Sequence, residues 1–345
     1  MRILVAGNHT PFIRGGAQEH VRELRRALLE AGHSVECLLL PFSFNPANEV
    51  QRAMDWSESL NMASPNGVSI DRLVGLQFPA YGVQHPLTVG WVMHQHREVY
   101  DLFKASEATP ELNTLQKKVL AFDNKHLAPL SRRGRLFANS ARVSERLGIF
   151  NKLSAEPLYH PPPLAELFYS RPPQPYFFFP SRFESLKRQL LVIQAMPNLP
   201  DNFHLVLAGE GGQLEFAKAK AADLGLTDRI HFLGRITQSE KIAWMANALA
   251  VVYPPFDEDY GYVTLEAMLA SKPVVTCKDS GGPLEFVVHE ETGFVVEPTS
   301  SELADALATL IGNIPRSIAM GEAGYMRYEA LGINWTRVVD TLISA

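Results

Sequence analysis

Two glutamates, Glu258 and Glu266, stand eight residues apart on either side of a predicted turn. Residues 249–253 form an apolar run that is typical of a buried strand, and two prolines end it. Residues 261–270 begin with a glycine and continue with apolar spacing that predicts a helix. A helix that starts beyond a strand directs backbone N–H groups outward, which favours binding of phosphate. The pattern therefore predicts two carboxylates beside an anion site.

Two cations, Arg182 and Lys187, follow a predicted strand at residues 176–179. Lys187 falls near the start of the next predicted helix, residues 186–196. Positive charges at such a place suit a diphosphate leaving group, because they neutralise the charge that develops as its bond breaks. The alternative is that both side chains are solvated surface charges.

Glycine clusters follow further predicted strands. Gly209 opens the cluster Gly-Glu-Gly-Gly after the strand at residues 204–208, and a Gly-Gly-Pro cluster at 281–283 precedes Glu285. Glycines at strand ends let a nucleotide approach the backbone closely, but a cluster of this kind also serves as an ordinary turn.

Composition is that of an ordinary globular protein. The 345 residues are too many for one typical core and suit two domains, with 46% apolar and 20% charged residues. The net charge of −5 gives no general case for a nucleic acid partner. Residues 1–170 carry 18 Lys and Arg against 16 Asp and Glu, whereas residues 171–345 carry 14 against 21. The basic first half favours an anionic acceptor or weak peripheral contact with a membrane surface, unless the excess is a random fluctuation.

Only two cysteines, Cys37 and Cys277, are present, so no disulfide framework is implied and a reducing compartment fits. Neither a signal peptide nor an apolar run long enough to span a bilayer is found. The expected location is cytoplasmic.

Strands and helices alternate throughout, beginning with a strand at residues 2–6, a helix at 17–31 and a strand at 34–40. Such units build parallel sheets. The proline-rich residues 157–175 predict a stiff connection, after which a second alternating series begins. The predicted fold class is α/β, with two doubly wound Rossmann-like domains facing a central cleft, where open parallel sheets bind ligands.

Taken together, these residues resemble the family-4 retaining glycosyltransferases, which have the two-domain GT-B fold. The resemblance covers nearly the whole chain and depends on five features in order. These are the glycine loop of Gly15 and Gly16 before a helix, the pair Arg182 and Lys187, the segment Gly234 to Ile236, the glutamates Glu258 and Glu266, and the Gly-Gly-x-x-Glu of residues 281–285.

The resemblance implies a nucleotide diphosphate sugar as donor and no separate cofactor. Arg182 and Lys187 would hold the diphosphate, Glu258 the sugar hydroxyls and Glu266 the ribose hydroxyls. His94, after a predicted strand, would reach toward the donor sugar near the reacting centre; the alternative is a histidine satisfied by local hydrogen bonds. The remaining donor-binding positions would be Gly15, Gly16, Gly209, Gly234, Arg235, Ile236, Gly261, Tyr262, Val263 and Thr264.

The implied reaction transfers a sugar, with retained configuration, to an acceptor hydroxyl. No second carboxylate is placed as a covalent nucleophile, so a same-face displacement fits better than a double displacement. A UDP-sugar is favoured as donor and a GDP-sugar comes second. A saccharide, a lipid-linked sugar and a small molecule remain open as acceptors. Two alternatives remain: a sugar-nucleotide 2-epimerase on the same fold, and a non-catalytic nucleotide-sugar-binding subunit.

The acidic residues 257–259 also match the D-x-D string of metal-dependent glycosyltransferases that have a different fold. Because Arg182 and Lys187 already supply positive charge, no metal is predicted.

The predicted domains span residues 1–165, on the acceptor side, and 166–330, which bind the nucleotide sugar. Residues 331–345 are predicted to return to the first domain, because the final helix has an apolar face that needs a buried partner. That face consists of Trp335, Val338, Val339 and Leu342.

Overall fold

The computed structural model describes residues 1–12 and 15–345 and divides the chain into two compact units. The first unit comprises Met1–Pro163 and Asn334–Ala345, and the second comprises Leu164–Ile333. The division therefore falls within three residues of the boundaries expected at 165 and 330. No helix in the described residues is long and apolar enough to cross a membrane.

The first unit is built on a six-stranded parallel sheet with the strand order β2-β1-β3-β4-β5-β6. Its elements in chain order are β1 (Arg2–His9), α1 (Gly16–Glu30), β2 (Ser34–Pro41), α2 (Ala47–Ser59), β3 (Arg72–Gly75), β4 (Thr88–Val92), α3 (Pro110–Arg132), β5 (Leu136–Ala138), α4 (Ala141–Asn151) and β6 (Glu156–Pro157).

The second unit has its own six-stranded parallel sheet, in the order β12-β11-β10-β7-β8-β9. Together the two sheets confirm the predicted α/β class with a doubly wound sheet in each domain. The elements are β7 (Tyr176–Pro180), α5 (Gln189–Ala195), β8 (His204–Ala208), α6 (Leu214–Asp223), β9 (Ile230–Phe232), α7 (Gln238–Asn247), β10 (Ala250–Val252), α8 (Tyr262–Leu269), β11 (Val274–Cys277), β12 (Gly293–Val296), α9 (Ser300–Gly312) and α10 (Ile314–Ala330).

The strand order of the second unit reverses beside β7. The chain runs from β7 outward to β8 and β9, then returns to the other side of β7 to form β10. In doubly wound sheets the loops on either side of such a reversal diverge to opposite faces, and ligands bind in the crevice between them at the carboxyl ends of the strands. The strand β7 is buried on both faces, since Phe177, Phe178 and Phe179 are at most 1% exposed.

Among the elements that differ from the sequence predictions are α5, β3 and α3. The helix predicted at residues 186–196 begins only at Gln189, because Arg188 adopts a left-handed conformation after a single 3₁₀ turn at Ser185–Lys187. The short strand β3 was missed, although it lies centrally between β1 and β4. The long helix α3 was also missed, although Thr109 caps it and Pro110 occupies its first position.

The last helix, α11 (Trp335–Ser344), packs within the first unit. Its residues Val338 and Leu342 are fully buried in one cluster with Leu24 and Leu28 of α1. The guanidinium of Arg72 donates to the Leu342 carbonyl over 2.7 Å, which ties the helix end to β3. The segment therefore completes the core of a unit that begins more than 300 residues earlier in the chain.

We predict that Leu342→Ala lowers the free energy of unfolding of the first unit by about 2–5 kcal/mol, because it leaves a cavity in this cluster. Urea unfolding followed by tryptophan fluorescence would measure the change. The control is Thr336→Ala, an exposed position on the same helix. Equal stabilities for the two variants would contradict a core role for α11.

Candidate functional site

Most of the loops at the carboxyl edge of the second sheet carry a residue that the sequence singled out. Arg182 follows β7, Gly209 follows β8, Gly234 follows β9, Glu258 follows β10 and Gly281 follows β11. Because parallel strands end at the same edge, these five loops are neighbours there. The predicted residues thus share one edge of the fold.

Lys187 and Glu258 meet across the crevice between β7 and β10. Their side chains form an ion pair, and both are largely buried, with 15% and 21% of the side chain exposed. The Lys187 ammonium also donates to the Tyr253 hydroxyl over 3.4 Å and lies 5.8 Å from the centre of that ring. Two residues predicted from separate motifs are therefore in direct contact.

Tyr253 is a site residue that sequence reasoning missed, because it was assigned simply to the end of an apolar strand. Its side chain is buried, and its hydroxyl is hydrogen-bonded to Glu258. Burial first, and then the negative charge of Glu258, raise the pKa of Tyr253 well above its usual value. The hydroxyl therefore stays protonated and donates to the carboxylate. An aromatic side chain with a polar tip at a strand end was the available signal.

The backbone of Glu258 is fixed by the loop after β11. The Glu258 N–H donates to the Ser280 carbonyl over 2.9 Å, and the Gly282 N–H donates to the Glu258 carbonyl over 2.7 Å. Gly281 has φ of +69°, and a Cβ there would lie 2.6 Å from the Glu258 carbonyl oxygen. The Gly-Gly pattern singled out in the sequence thus permits a close backbone contact that positions Glu258.

Glu266 lies on α8 and is almost completely buried, at 2% exposure. Its Oε1 is 2.5 Å from the ammonium of Lys241 on α7, a residue that sequence reasoning did not identify. Its Oε2 is buried and has no hydrogen-bond partner in the described part of the chain, and the same holds for the Thr264 hydroxyl oxygen. Two unused buried polar atoms on one helix require an explanation, and a ligand that carries hydroxyl groups would supply one.

Position 209 requires a glycine, because the loops after β7 and β8 approach each other closely there. Its φ is +143°, and a Cβ would lie 2.1 Å from the Ser181 carbonyl oxygen in the loop that carries Arg182. The Gly209 N–H donates to the Gly234 carbonyl over 2.8 Å, so the loops after β8 and β9 are joined. The side chain of Arg182 is exposed, while its carbonyl accepts from the amide of Gln189 over 2.7 Å.

The segment after β9 is partly exposed and leads into α7. Arg235 forms an exposed ion pair with Glu210 over 2.8 Å, and Ile236 is partly buried. A capping box starts α7: the Thr237 hydroxyl accepts from the Glu240 N–H, and the Glu240 carboxylate accepts from the Thr237 N–H.

The start of α8 has the geometry expected for an anion site. Gly261 is the residue before the helix and has φ of +82°, a conformation that favours glycine. Tyr262 and Val263 form the first turn and are partly buried. Backbone N–H groups in a first turn point beyond the helix end and carry its positive dipole.

The acidic string lies just before this helix, with Asp257 buried and Asp259 partly buried. Among residues 1–12 and 15–345, no group of three or more His, Cys, Asp or Glu side chains is arranged to hold a metal ion.

In the first unit, His94 lies two residues beyond β4, is partly buried and has its Nδ1 3.1 Å from the Gln95 carbonyl. Burial, with a smaller contribution from the charge of His94, lowers the pKa of His20 to about 3 and that of His96 to about 4. Those two rings are therefore neutral near pH 7. Gly15 precedes α1 in an extended conformation and Gly16 is its first residue. The role of His94 stays a prediction.

Residues 169–327 match the family model of the glycosyl transferases group 1. The match falls within the second unit, Leu164–Ile333, and includes every site residue described for that unit. The resemblance inferred from the sequence is thereby confirmed for this part of the chain.

Several relatives are similar to this chain over a stretch about as long as the family match. Alpha-1,3/1,6-mannosyltransferase ALG2 of Dictyostelium discoideum is 36% identical over 135 residues, which are 37% of this chain and 32% of that protein. A GDP-mannose-dependent alpha-(1-6)-phosphatidylinositol monomannoside mannosyltransferase of Mycobacterium tuberculosis is 36% identical over 155 residues, 42% of this chain and 40% of that protein. The matched part thus spans 40% or less of the length of these relatives.

Solved structures resemble the chain over nearly its full length. Sucrose-phosphate synthase of Thermosynechococcus elongatus superposes with a TM-score of 0.78 at 18% identity, covering 99% of this chain and 97% of that one. WaaG, a glycosyltransferase involved in lipopolysaccharide biosynthesis, gives 0.72 at 17% identity and covers both chains completely. At such identities the likeness shows the fold, which is the GT-B fold of glycosyltransferases.

Proposed function

We propose that this protein is a retaining glycosyltransferase that moves a sugar from a nucleotide diphosphate sugar to an acceptor hydroxyl. The observation that carries the proposal is the cluster of Lys187, Glu258 and Tyr253 at the point where the strand order reverses. In this cluster an ammonium and a carboxylate are in direct contact, which supports a site that binds a phosphate beside sugar hydroxyls. A second carboxylate, Glu266, lies eight residues beyond Glu258 in the chain, and its Oε2 has no hydrogen-bond partner among the described residues.

The donor is proposed to bind along the carboxyl edge of the second sheet. Lys187 and Arg182 hold the diphosphate together with the first turn of α8, because cations and helix N-termini both stabilise phosphate charge. Glu258 accepts from the sugar hydroxyls and Glu266 from the ribose hydroxyls. The backbone around Ile236 contacts the base. No metal or separate cofactor takes part.

Sequence interpretation placed a UDP-sugar first, but the names of the relatives favour a different order. Two proteins that are 36% identical to this chain over 135 and 155 residues are named mannosyltransferases, and one of them is named as GDP-mannose-dependent. We therefore rank GDP-mannose first and a UDP-sugar second. The relatives' names also support a saccharide or a glycolipid as acceptor, with weak peripheral contact to a membrane if the acceptor is a lipid.

The proposed chemistry is a same-face displacement. The bond from the anomeric carbon to the donor phosphate oxygen breaks while the bond to the acceptor oxygen forms on the same face of the sugar. The acceptor proton passes to the departing phosphate oxygen, and the nucleoside diphosphate leaves. Catalysis then depends on positioning and on stabilisation of the developing phosphate charge by Lys187 and Arg182.

A two-stage experiment tests this function. Thermal shift against GDP-mannose, UDP-glucose and other nucleotide sugars identifies the donor, because a ligand that binds the folded state raises Tm. Release of the nucleoside diphosphate is then measured with and without saccharide and glycolipid acceptors. Acceptor-dependent release is the expected result. Failure to bind any nucleotide sugar would overturn the proposal, and sugar epimerisation without an acceptor would support the 2-epimerase alternative.

We predict that transfer persists after exhaustive treatment with a chelator. Mg²⁺ demands near-octahedral oxygen ligands beside the diphosphate, where Lys187, Arg182 and the start of α8 supply the positive charge instead. The measurement is the transfer rate before chelation, after it and after addition of Mn²⁺ or Mg²⁺. Activity that disappears and returns with metal would contradict the prediction and assign Asp257 and Asp259 as ligands.

A further inference from the structure

Arg188 has a backbone conformation that is uncommon for residues other than glycine. Its φ of +59° and ψ of +37° lie in the left-handed region, where the Cβ of an L-residue is crowded. The position directly follows Lys187 and is the last before α5. A residue with a side chain persists in such a conformation when its surroundings compensate for the strain. The contacts of the Arg188 side chain therefore indicate what the residue does.

The guanidinium of Arg188 forms a two-point ion pair with Asp279. Nη1 is 2.8 Å from Oδ1 and Nη2 is 2.7 Å from Oδ2, the parallel geometry that gives strong and well-oriented hydrogen bonds. The same guanidinium lies 5.0 Å from the centre of the Phe256 ring, within the range of cation–π attraction. The side chains of the pair are 22% and 34% exposed. Good geometry and partial burial make this contact stronger than an ordinary surface ion pair.

These contacts join the loops of three adjacent strands. Arg188 follows β7, Phe256 follows β10 and Asp279 follows β11, and β10 lies between the other two strands in the sheet. Neighbouring loops are also joined by their backbones, since the Phe256 N–H donates to the Leu186 carbonyl over 2.7 Å and the Asp257 N–H donates to the Asp279 carbonyl over 2.8 Å. The Arg188–Asp279 pair adds a direct connection between the two outer loops.

The functional residue that depends most directly on this connection is Lys187. It ends a single 3₁₀ turn, Ser185–Lys187, and a turn of this kind has poor hydrogen-bond geometry of its own. The Lys187 N–H donates to the Glu184 carbonyl over 2.9 Å, and the Arg188 N–H donates to the Ser185 carbonyl over 3.3 Å. A side chain anchored two loops away therefore restricts the backbone beside Lys187. Restriction matters because a cation stabilises a developing charge best when it is held in place before the reaction.

This inference rests on the proposed function. We propose that Arg188 is a positioning residue of the donor site, and that its guanidinium, anchored on Asp279 and Phe256, holds the Lys187 ammonium where the donor diphosphate binds. Both Nη atoms of Arg188 are directed at Asp279, so its effect on sugar transfer passes through Lys187. In this respect it differs from Arg182 and Lys187, which are proposed to contact the diphosphate themselves.

The first test is Arg188→Gly, which removes the guanidinium and places in the left-handed conformation the residue that tolerates it best. We expect kcat for sugar transfer to fall about tenfold, because the cation that stabilises the departing phosphate is no longer held in place. KM for the donor should change by less than about threefold, since that interaction is strongest in the transition state. Tm should stay within about 4 °C of the wild type, because relief of strain offsets the lost ion pair. A purely structural role would instead lower Tm and leave kcat unchanged.

A double-mutant cycle tests whether the effect passes through Lys187. In a Lys187→Ala background, Arg188→Gly should cause no further loss of kcat, because the residue that it positions is absent. Single-turnover rates with enzyme in excess make the slow variants measurable, with GDP-mannose as donor, or UDP-glucose if thermal shift selects it. Asp279→Asn should lower kcat in the same direction as Arg188→Gly. Arg188→Lys should recover part of the loss, because it keeps the charge but not the two-point geometry.

Two matched controls lie in the same unit, away from the carboxyl edge of the sheet. Glu290→Gly also replaces a charged residue in a left-handed conformation, with φ of +63°, in the turn before β12. Asp201→Asn also removes the charge of an aspartate paired with an arginine, since Asp201 is 3.1 Å from Arg229 before β8. Both variants should transfer sugar at the wild-type rate.

The outcomes separate this inference from the proposed function. A wild type that transfers sugar from none of the nucleotide sugars overturns both. An active wild type with unchanged kcat in Arg188→Gly, or with additive losses in the double variant, overturns only the positioning role of Arg188. An equal loss of kcat in Glu290→Gly would show a general effect of glycine and would also overturn it. If Arg188→Gly does not fold, the same cycle between Asp279→Asn and Lys187→Ala decides by the same criteria.

Discussion

Replacement of Lys187 by alanine should lower turnover by about a hundredfold or more. The ammonium forms an ion pair with Glu258 and donates to the Tyr253 hydroxyl, and it would stabilise charge that develops on the departing phosphate. An interaction stronger in the transition state than in the ground state affects kcat directly. Single-turnover and steady-state rates of sugar transfer measure the effect. Arg182→Ala should act in the same direction.

Two controls make this result specific. Lys278→Ala removes an exposed lysine from an ion pair elsewhere in the second unit and should leave turnover unchanged. Thermal melting of Lys187→Ala establishes that the variant is folded. If folded Lys187→Ala turns over at the wild-type rate, the assignment of the diphosphate to this end of the crevice is wrong.

Replacement of Glu266 by glutamine should weaken nucleotide binding by about ten- to a hundredfold. Hydrogen bonds to charged groups contribute about 1.5–3 kcal/mol, and the unused Oε2 would lose its charge. The effect on kcat should be small, because the ribose does not change during the reaction. Glutamine keeps the shape of the side chain and an oxygen for Lys241, so the buried lysine retains a partner.

Binding of GDP and of 2′,3′-dideoxy-GDP should be compared in the wild type and the variant. The wild type should discriminate strongly between them, and Glu266→Gln should discriminate weakly. Loss of turnover with nucleotide affinity intact would instead place Glu266 at the reacting centre and exchange the proposed roles of the two glutamates.

Local patterns predicted the parts of the site that lie in one continuous segment. The strand, the prolines, the glycine before a helix and the glutamate pair of residues 249–270 are adjacent in sequence, and the structure has them in that order. Alternation of strands and helices was also sufficient for the α/β class. The start of α5 was wrong because apolar spacing from Leu186 continues through a turn that Arg188 interrupts with a left-handed conformation.

Local sequence patterns could not predict contacts between segments that are distant in the chain. The partnership of Lys241 with Glu266 joins two helices separated by β10, and neither residue has a neighbour in sequence that predicts it. Tyr253 looks like any apolar strand residue until the loop after β10 brings Glu258 to its hydroxyl. The four-residue strand β3 is too short for its periodicity to be recognised, although the sheet places it at the centre.

The position of α11 has a consequence for how the protein is made. Residues 1–163 leave the ribosome before the second unit does, but the cluster around Leu24 and Leu28 lacks Val338 and Leu342 until synthesis has passed through the entire second unit. The second unit, Leu164–Ile333, is continuous and can fold as soon as it emerges, whereas the first waits with apolar surface exposed. The second unit would therefore complete its fold before the first unit does, although most of the first unit is synthesised earlier.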